Sequence, residues 1–208
     1  MTFTGETEQK IIRAATEVFL QRGKDGARMQ DIADRAGINK ALLHYYFRSK
    51  DRLYEKVFET TVKSVFDEFL NASLETEDPV LFIKGFIENY IDALSRRPEM
   101  IRFIIWEIDQ GGEQIGRMIQ SIFSERGFSE IPIPLKIQQA IGRGQIRQVD
   151  PIQLTLSLIG MCLHPFLAER ILEKLFPAIS VTSPGFLEAR KKEVFDLVWK
   201  GIRPEGEP

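Results

Sequence analysis

The sequence predicts an all-α protein: an N-terminal three-helix helix-turn-helix domain followed by a larger helical domain. Three observations predict it. Apolar residues recur at helical spacing through nearly every segment, and no segment longer than a few residues alternates with the period of a strand. Glycines, prolines and capping residues cut these runs into short helices. The stretch 28–53, RMQDIADRAGINKALLHYYFRSKDRL, reads as a short helix, a glycine-containing turn and a second short helix.

The elements follow in order. Ile11, Ala15 and Val18, with Ile12 and Phe19 beside them, mark a first helix that starts near residue 7. Gly23 and Gly26 end it. A second helix carries Met29, Ile32, Ala33 and Ala36 on one face, and Gly37 closes it. Asn39 is placed to cap a third, which carries Leu43 and Phe47 at i, i+4. Ser49-Lys50-Asp51 opens a fourth, longer helix along Phe58, Val62, Val65 or Phe66, and Phe69. An acidic turn spans 74–79. Phe82, Phe86 and Tyr90 then form a stripe backed by Ile87, Ile91 and Leu94, broken at Arg96-Arg97-Pro98.

The run from Met100 to Ile108 is apolar almost all round and predicts a helix buried on most sides. After Gly111-Gly112 the period resumes through Ile115, Met118, Ile119, Ile122 and Phe123. Pro132 and Pro134 precede a short helix that ends near Gly142 and Gly144. Asp150-Pro151 supplies an acid cap and a first-turn proline for the longest apolar-rich helix. That helix runs to Phe176 with an interruption at His164-Pro165, because Pro165 lacks a donor and crowds the Met161 carbonyl. A last helix spans roughly Gly185 to Ile202, and the residues from Pro204 to Pro208 are expected to fray.

Composition narrows the function classes. With 208 residues, 43% apolar and 28% charged, the chain has the make-up of a soluble globular protein of one or two domains. No apolar run reaches the roughly 20 residues that a membrane span needs. The polar N-terminus has no signal-peptide core, so a cytoplasmic protein is expected. One cysteine, Cys162, excludes an internal disulfide framework and a cysteine-built zinc site. His44 and His164 lie far apart in sequence, so neither metal nor cofactor is expected. No nucleophile–base pair, paired-carboxylate site or metal-ligand cluster marks an enzyme. Net charge is −2, yet nine Lys/Arg face five Asp/Glu between Arg22 and Lys56. That surplus of four leaves the rest of the chain six charges negative, a basic segment on an acidic body.

The helix-turn-helix segment has the physical features such a motif requires. Ile32, Ala33, Ile38, Leu43 and Phe47 can pack its two helices together, and Gly37 suits a turn of positive φ. Its outer face carries Lys40, His44, Tyr45 and Tyr46, with Lys50 opening the next helix. Lysines can neutralise phosphates, and hydroxyls and imidazole can donate to phosphate oxygens. Side chains near the helix start can reach base edges. The other reading of this face is a solvated, aromatic-rich surface.

Over about 45 residues the segment resembles the N-terminal domain of the TetR family of bacterial transcriptional regulators. Asp31-Ile32-Ala33, Ala36-Gly37-Ile38, Lys40 and Leu43-His44-Tyr45-Tyr46-Phe47 carry the resemblance, with Ser49-Lys50 and Leu53 after them and Ala14-Ala15, Phe19 and Gly23 before. Three positions depart from the family pattern. Arg28 stands where a capping Thr is usual, Leu42 where a small polar residue is common, and His44 where Tyr is more usual. Leu42 could meet a thymine methyl.

The resemblance implies a DNA-binding domain over 1–47 and an effector-binding and dimerisation domain over 48–208, joined by the helix that starts near 49. The DNA contacts it implies are Arg28, Gln30, Lys40, Ala41, Leu42, His44, Tyr45, Tyr46 and Lys50. It implies an unidentified small-molecule effector in a pocket that could include Phe86, Tyr90, Phe103, Trp106, Glu107, Met161 and His164; the same residues read equally as core. Glu107 reads otherwise as an exposed edge carboxylate or a partner of Arg102 or Arg117. It implies a homodimer through a four-helix bundle using Leu154, Leu158, Phe166, Phe195, Val198, Trp199 and Ile202, which could instead be intrachain core. The expected function is a repressor that leaves a palindromic double-stranded operator when the effector binds. The alternatives are an activator or ligand-independent regulator on the same fold, a helical enzyme, and an adaptor with a vestigial helix-turn-helix.

Overall fold

The computed structural model describes the backbone of residues 3–74 and 76–204, and their side chains apart from 3, 4, 65, 67–74, 98 and 99. The expected fraying at 205–208 and the stripe positions Val65 and Phe69 lie outside these. Among the described residues there are eleven helices and no strand. The chain divides into two compact units, 1–64 and 65–208.

The first unit holds α1 (Phe3–Gly26), α2 (Met29–Ala36), α3 (Lys40–Tyr46) and α4 (Lys50–Leu74) as far as Ser64. Helix α1 buries Ile11, Ala14, Ala15, Val18 and Phe19. Its helical backbone breaks at Gly23 (φ 69°, ψ 172°), where a side chain would strain the chain, and one more turn follows to Gly26. Helix α2 buries Ile32 and Ala33 and stops at Gly37 in the left-handed region, whose N–H donates to Asp34 O while Ile38 N donates to Ala33 O. Asn39 caps α3, its Oδ1 accepting from Leu42 N at 2.7 Å.

The first half of α4 belongs to this core. Leu53, Tyr54, Val57 and Phe58 are buried, and the Tyr54 ring meets Phe19 edge-on at 5.1 Å. The compact unit runs 17 residues past the expected boundary at 47, and five apolar side chains of α4 within it, Val62 being the fifth, are buried.

The second unit holds α5 (Pro79–Arg96), α6 (Pro98–Asp109), α7 (Glu113–Glu125), α8 (Pro132–Gly142), α9 (Pro151–Leu167), α10 (Glu169–Leu175) and α11 (Pro184–Ile202). Helix α5 is central and packs against α6, α8, α9 and α11. Its stripe, Phe82, Phe86, Ile87, Ile91 and Leu94, is buried throughout. Asp78 and Asp150 cap α5 and α9 through their Oδ1 atoms, each followed by a first-turn proline. Lys191 fastens α11 to α5, its Nζ 2.7 Å from Asp92 Oδ1 and from Glu188 Oε1. Burial opposes its charge, but these hydrogen bonds outweigh it and hold the ammonium above the ordinary lysine range.

Two expectations are corrected. Helix α9 continues through Pro165, and the break falls at Ala168, where α10 turns away by 69°. The Met161 carbonyl opposite the proline accepts from Arg190 Nη2 at 2.6 Å and Nε at 3.2 Å, so α11 satisfies what the proline leaves open. Helix α6 is buried on one side only: Met100, Ile101, Phe103, Ile104 and Glu107 face inward, whereas Ile105 and Ile108 are 48% and 61% exposed. An almost uniformly apolar run does not show which side meets the core. Among the described residues no single helix is long and apolar enough to cross a membrane.

Candidate nucleic-acid interface and body sites

Helix α3 is held from behind. Leu43 is fully buried and Phe47 nearly so. With one side anchored, a seven-residue helix has to present the other outward. Lys40, Ala41 and His44 are exposed, Leu42 and Tyr46 half-buried, and Tyr45 is 79% exposed with its ring edge-on to Tyr46 at 5.7 Å. Arg28 and Gln30 are exposed on the neighbouring helix. Gln30 Nε2 donates to Asp34 Oδ1 at 2.7 Å, which lays its amide along α2. Arg28 occupies the cap position of α2 without a side-chain cap bond, and Asp31 supplies a negative charge in the first turn. Arg22 pairs with Asp31, and Arg35 with Glu17 at 3.1 Å, pinning α1 to α2.

In the body an open cleft of about 690 Å³ runs between α5–α6 and the stretch from the end of α9 through α10 to Thr182. Leu94, Ile101, Ile105, Trp106, Phe166 and Ile171 give it apolar walls, and Arg102, Arg170, Asp109, Glu169, Ser95 and Thr182 give it polar ones. A shallow groove of about 330 Å³ lies between α9 and α11, with Leu154, Val198 and Ile202 in its floor and Leu197 at its side.

Comparison with known proteins places this architecture. The model of the bacterial regulatory proteins, tetR family, matches residues 11–57. The HTH-type transcriptional repressor SCO4008 of Streptomyces coelicolor is 32% identical over 101 residues, 49% of this chain and 49% of that protein. The chain thus spans about half the length of this relative. The HTH-type transcriptional regulator RutR of Escherichia coli K12 is 32% identical over 201 residues, 95% of this chain and 91% of that protein. The chain belongs to the TetR family. Its fold agrees with that of AibR, solved in complex with isovaleryl coenzyme A and operator DNA, at a TM-score of 0.69 and 19% identity over 92% of this chain and 97% of that one.

For this TetR-family chain, the expected site residues separate into three groups. Those of α2 and α3 stand together on the outside of the head. Lys50 is half-buried, and its Nζ donates to Asp25 O at 3.0 Å and Ala27 O at 3.3 Å. Arg48 and Arg52, which the sequence reading did not single out, are also exposed, beside α3 and in the first turn of α4. The local charge surplus was the signal that could have found them.

The expected pocket residues are not gathered in one place. Of the expected pocket residues only Trp106 lines the large cleft; Phe86 and Phe103 are core, and Met161 lies at the α9–α11 groove. His164 is exposed on α9. Glu107 is 2% exposed, so it is no edge carboxylate, and it is absent from the cleft wall. Burial, and secondarily Cys162, raise the Tyr90 phenol above its ordinary value. Burial likewise pushes the Cys162 thiol up to about 12, Arg190 opposing it.

The expected dimer residues lie in several settings. Leu158 is fully buried in the chain's own core, and Phe166 faces the cleft. Leu154, Val198 and Ile202 offer a partner only the groove floor, and Phe195 and Trp199 are half-buried and stack on each other at 6.4 Å. The apolar side chains that do stand out from α9 and α11 are Ile152, Leu156 and Leu197, each 57–63% exposed. Of the expected residues only Leu158 is wholly enclosed; Leu154, Val198 and Ile202 line an open groove, and Phe195 and Trp199 keep part of their surface exposed.

Proposed function

We propose that the protein is a homodimeric, cytoplasmic repressor that binds a palindromic double-stranded operator through α3 and leaves it when a small molecule binds the body. It acts by binding, with no catalytic step. The observation that carries this reading is the anchored α3: Leu43 and Phe47 fix one side, and Lys40, Ala41, His44 and Tyr45 are left to the major groove. Arg28, Arg48 and Arg52 flank that face as phosphate contacts, with Leu42 and Gln30 near base edges.

One head buries little DNA surface. Two heads related by a two-fold axis read half-sites one helical turn, about 34–36 Å, or a multiple apart. The dimer forms through the exposed side of α9 and α11, where Ile152, Leu156 and Leu197 stand out. The effector occupies the cleft beside Trp106, whose apolar walls with two arginines and two carboxylates, Asp109 and Glu169, suit a small amphipathic molecule. It acts by linkage. An effector that prefers a body in which α4 is shifted moves the heads off their half-site spacing, and full release takes about 5.5 kcal/mol of differential affinity. Operator weakens effector binding by the same factor.

Selection of bound duplexes from a random pool tests the reading. It predicts a palindromic winner with evenly spaced half-sites. A non-palindromic winner contradicts the two-fold arrangement, and no enrichment at low salt contradicts the DNA-binding reading itself.

A further inference from the structure

We propose that Asp34 is a positioning residue for base reading: it holds the amide of Gln30 so that the protein selects an A·T over a G·C base pair at one place in each half-site. The proposal rests on the DNA-binding reading above and adds to it the identity of a base.

Helix α2 carries two acids that are used differently. Asp31 pairs with Arg22 of α1. Asp34 is exposed and pairs with no cation among the described residues, and the neighbouring Arg35 is turned to Glu17 instead. The Oδ1 of Asp34 accepts from Gln30 Nε2 at 2.7 Å, one helical turn away. A carboxylate without a cation beside a phosphate-binding surface weakens binding to every duplex. What it can contribute in return is selectivity.

The selectivity follows from the chemistry of the pair. A carboxylate only accepts hydrogen bonds, so the end of the amide that faces Asp34 has to be the nitrogen. Nothing else among the described residues bonds the exposed side chain of Gln30. The amide is left with Oε1 as an acceptor and one N–H as a donor, side by side. In the major groove adenine presents the N6 donor next to the N7 acceptor, whereas guanine presents two acceptors, N7 and O6. The held amide therefore matches adenine at both atoms. Against guanine its N–H finds a partner, but Oε1 is set against a second acceptor. An amide free to turn avoids that clash by swinging its nitrogen onto guanine, and the bond to Asp34 opposes the turn. Gln30 makes the contact; Asp34 makes it discriminate. Gln30 lies in the first turn of α2, which packs on α3.

The test uses the full chain, with duplexes selected from a random pool by the unaltered protein, by Gln30→Ala and by Asp34→Ala. One base pair of each half-site should be A·T with the unaltered protein, unspecified with Gln30→Ala, and open to G·C with Asp34→Ala. In direct competition at that base pair the unaltered protein should prefer A·T about tenfold, within the range of a bidentate base contact. Asp34→Ala should bring the ratio close to one, while its affinity for unrelated duplexes stays equal or rises, since a negative charge has gone. Asp34→Glu, which can still accept from Gln30, should keep the preference. A purely structural role for Asp34 predicts another pattern: equal loss on every duplex, with the ratio unmoved. That pattern overturns the proposal. So does a G·C pair selected at the position that depends on Gln30, and so does a Gln30→Ala chain that selects the same half-site as the unaltered protein. These three outcomes leave the DNA-binding reading standing. No enrichment by the unaltered protein at low salt overturns that reading, and the proposal with it.

Discussion

The head and the body of this protein are built from the same kind of segment, a short amphipathic helix with an i, i+4 apolar stripe, yet they reveal their purpose differently. In the head, the stripe Leu43–Phe47 is core and the opposite face is the candidate site. In the body, stripes that seemed equally suited to a partner or a ligand, such as Leu154–Leu158 and Phe86–Tyr90, are wholly or largely interior, and the candidate surfaces lie beside them. Periodicity identifies a face; it does not say what the face meets. In the head that question is answered by polar and aromatic residues on the outer side. In the body the outer residues Ile105, Leu156 and Leu197 are as apolar as the inner ones.

The largest expected effects test which side is interior. Leu43→Ala and Leu158→Ala should each cost about 2–5 kcal/mol in chemical denaturation, since both side chains are fully buried. A Leu158→Ala chain that keeps its stability but loses association would reverse the assignment for the body. Leu156→Asp combined with Leu197→Asp should yield folded monomers in sedimentation at micromolar concentration. A persistent dimer moves the interface away from the exposed side of α9 and α11.

A smaller effect is expected at the Pro165 position. Arg190→Met should lower stability by about 1–3 kcal/mol, because it strips two donors from the Met161 carbonyl. Equal stability would mean that water replaces the guanidinium without loss. The smallest effect sharpens the head. Asn39→Ala should cost about 1 kcal/mol through the lost cap at Leu42 N. A difference within measurement error would show that Leu43 and Phe47 alone hold α3.

Most of the fold was legible in the sequence. Gly37, Asn39 and Asp150-Pro151 each mark a helix end by a definite backbone requirement, and the helices begin or stop there. The break after Pro165 was misplaced because its cost depends on a residue 25 positions away, Arg190, that sequence distance hides. The α3 face was legible because anchoring one side of a short helix determines the other. The two main-chain contacts of Lys50 were not, because Asp25 and Ala27 lie 25 and 23 positions away in sequence. Glu107 was legible only in part: a carboxylate on an apolar helix suggested an edge, an arginine partner or a cavity, and its burial beside an exposed Ile108 removes the edge.

The most direct measurement of the central claim is the salt dependence of binding to the selected duplex, comparing the unaltered chain with Lys40→Ala. An outward Lys40 on a phosphate predicts a slope of log K against log salt reduced by about 0.9 for each subunit's lost contact, and so by about two units for a dimer. A slope that does not move, with affinity intact, would contradict the account that α3 meets DNA through this face.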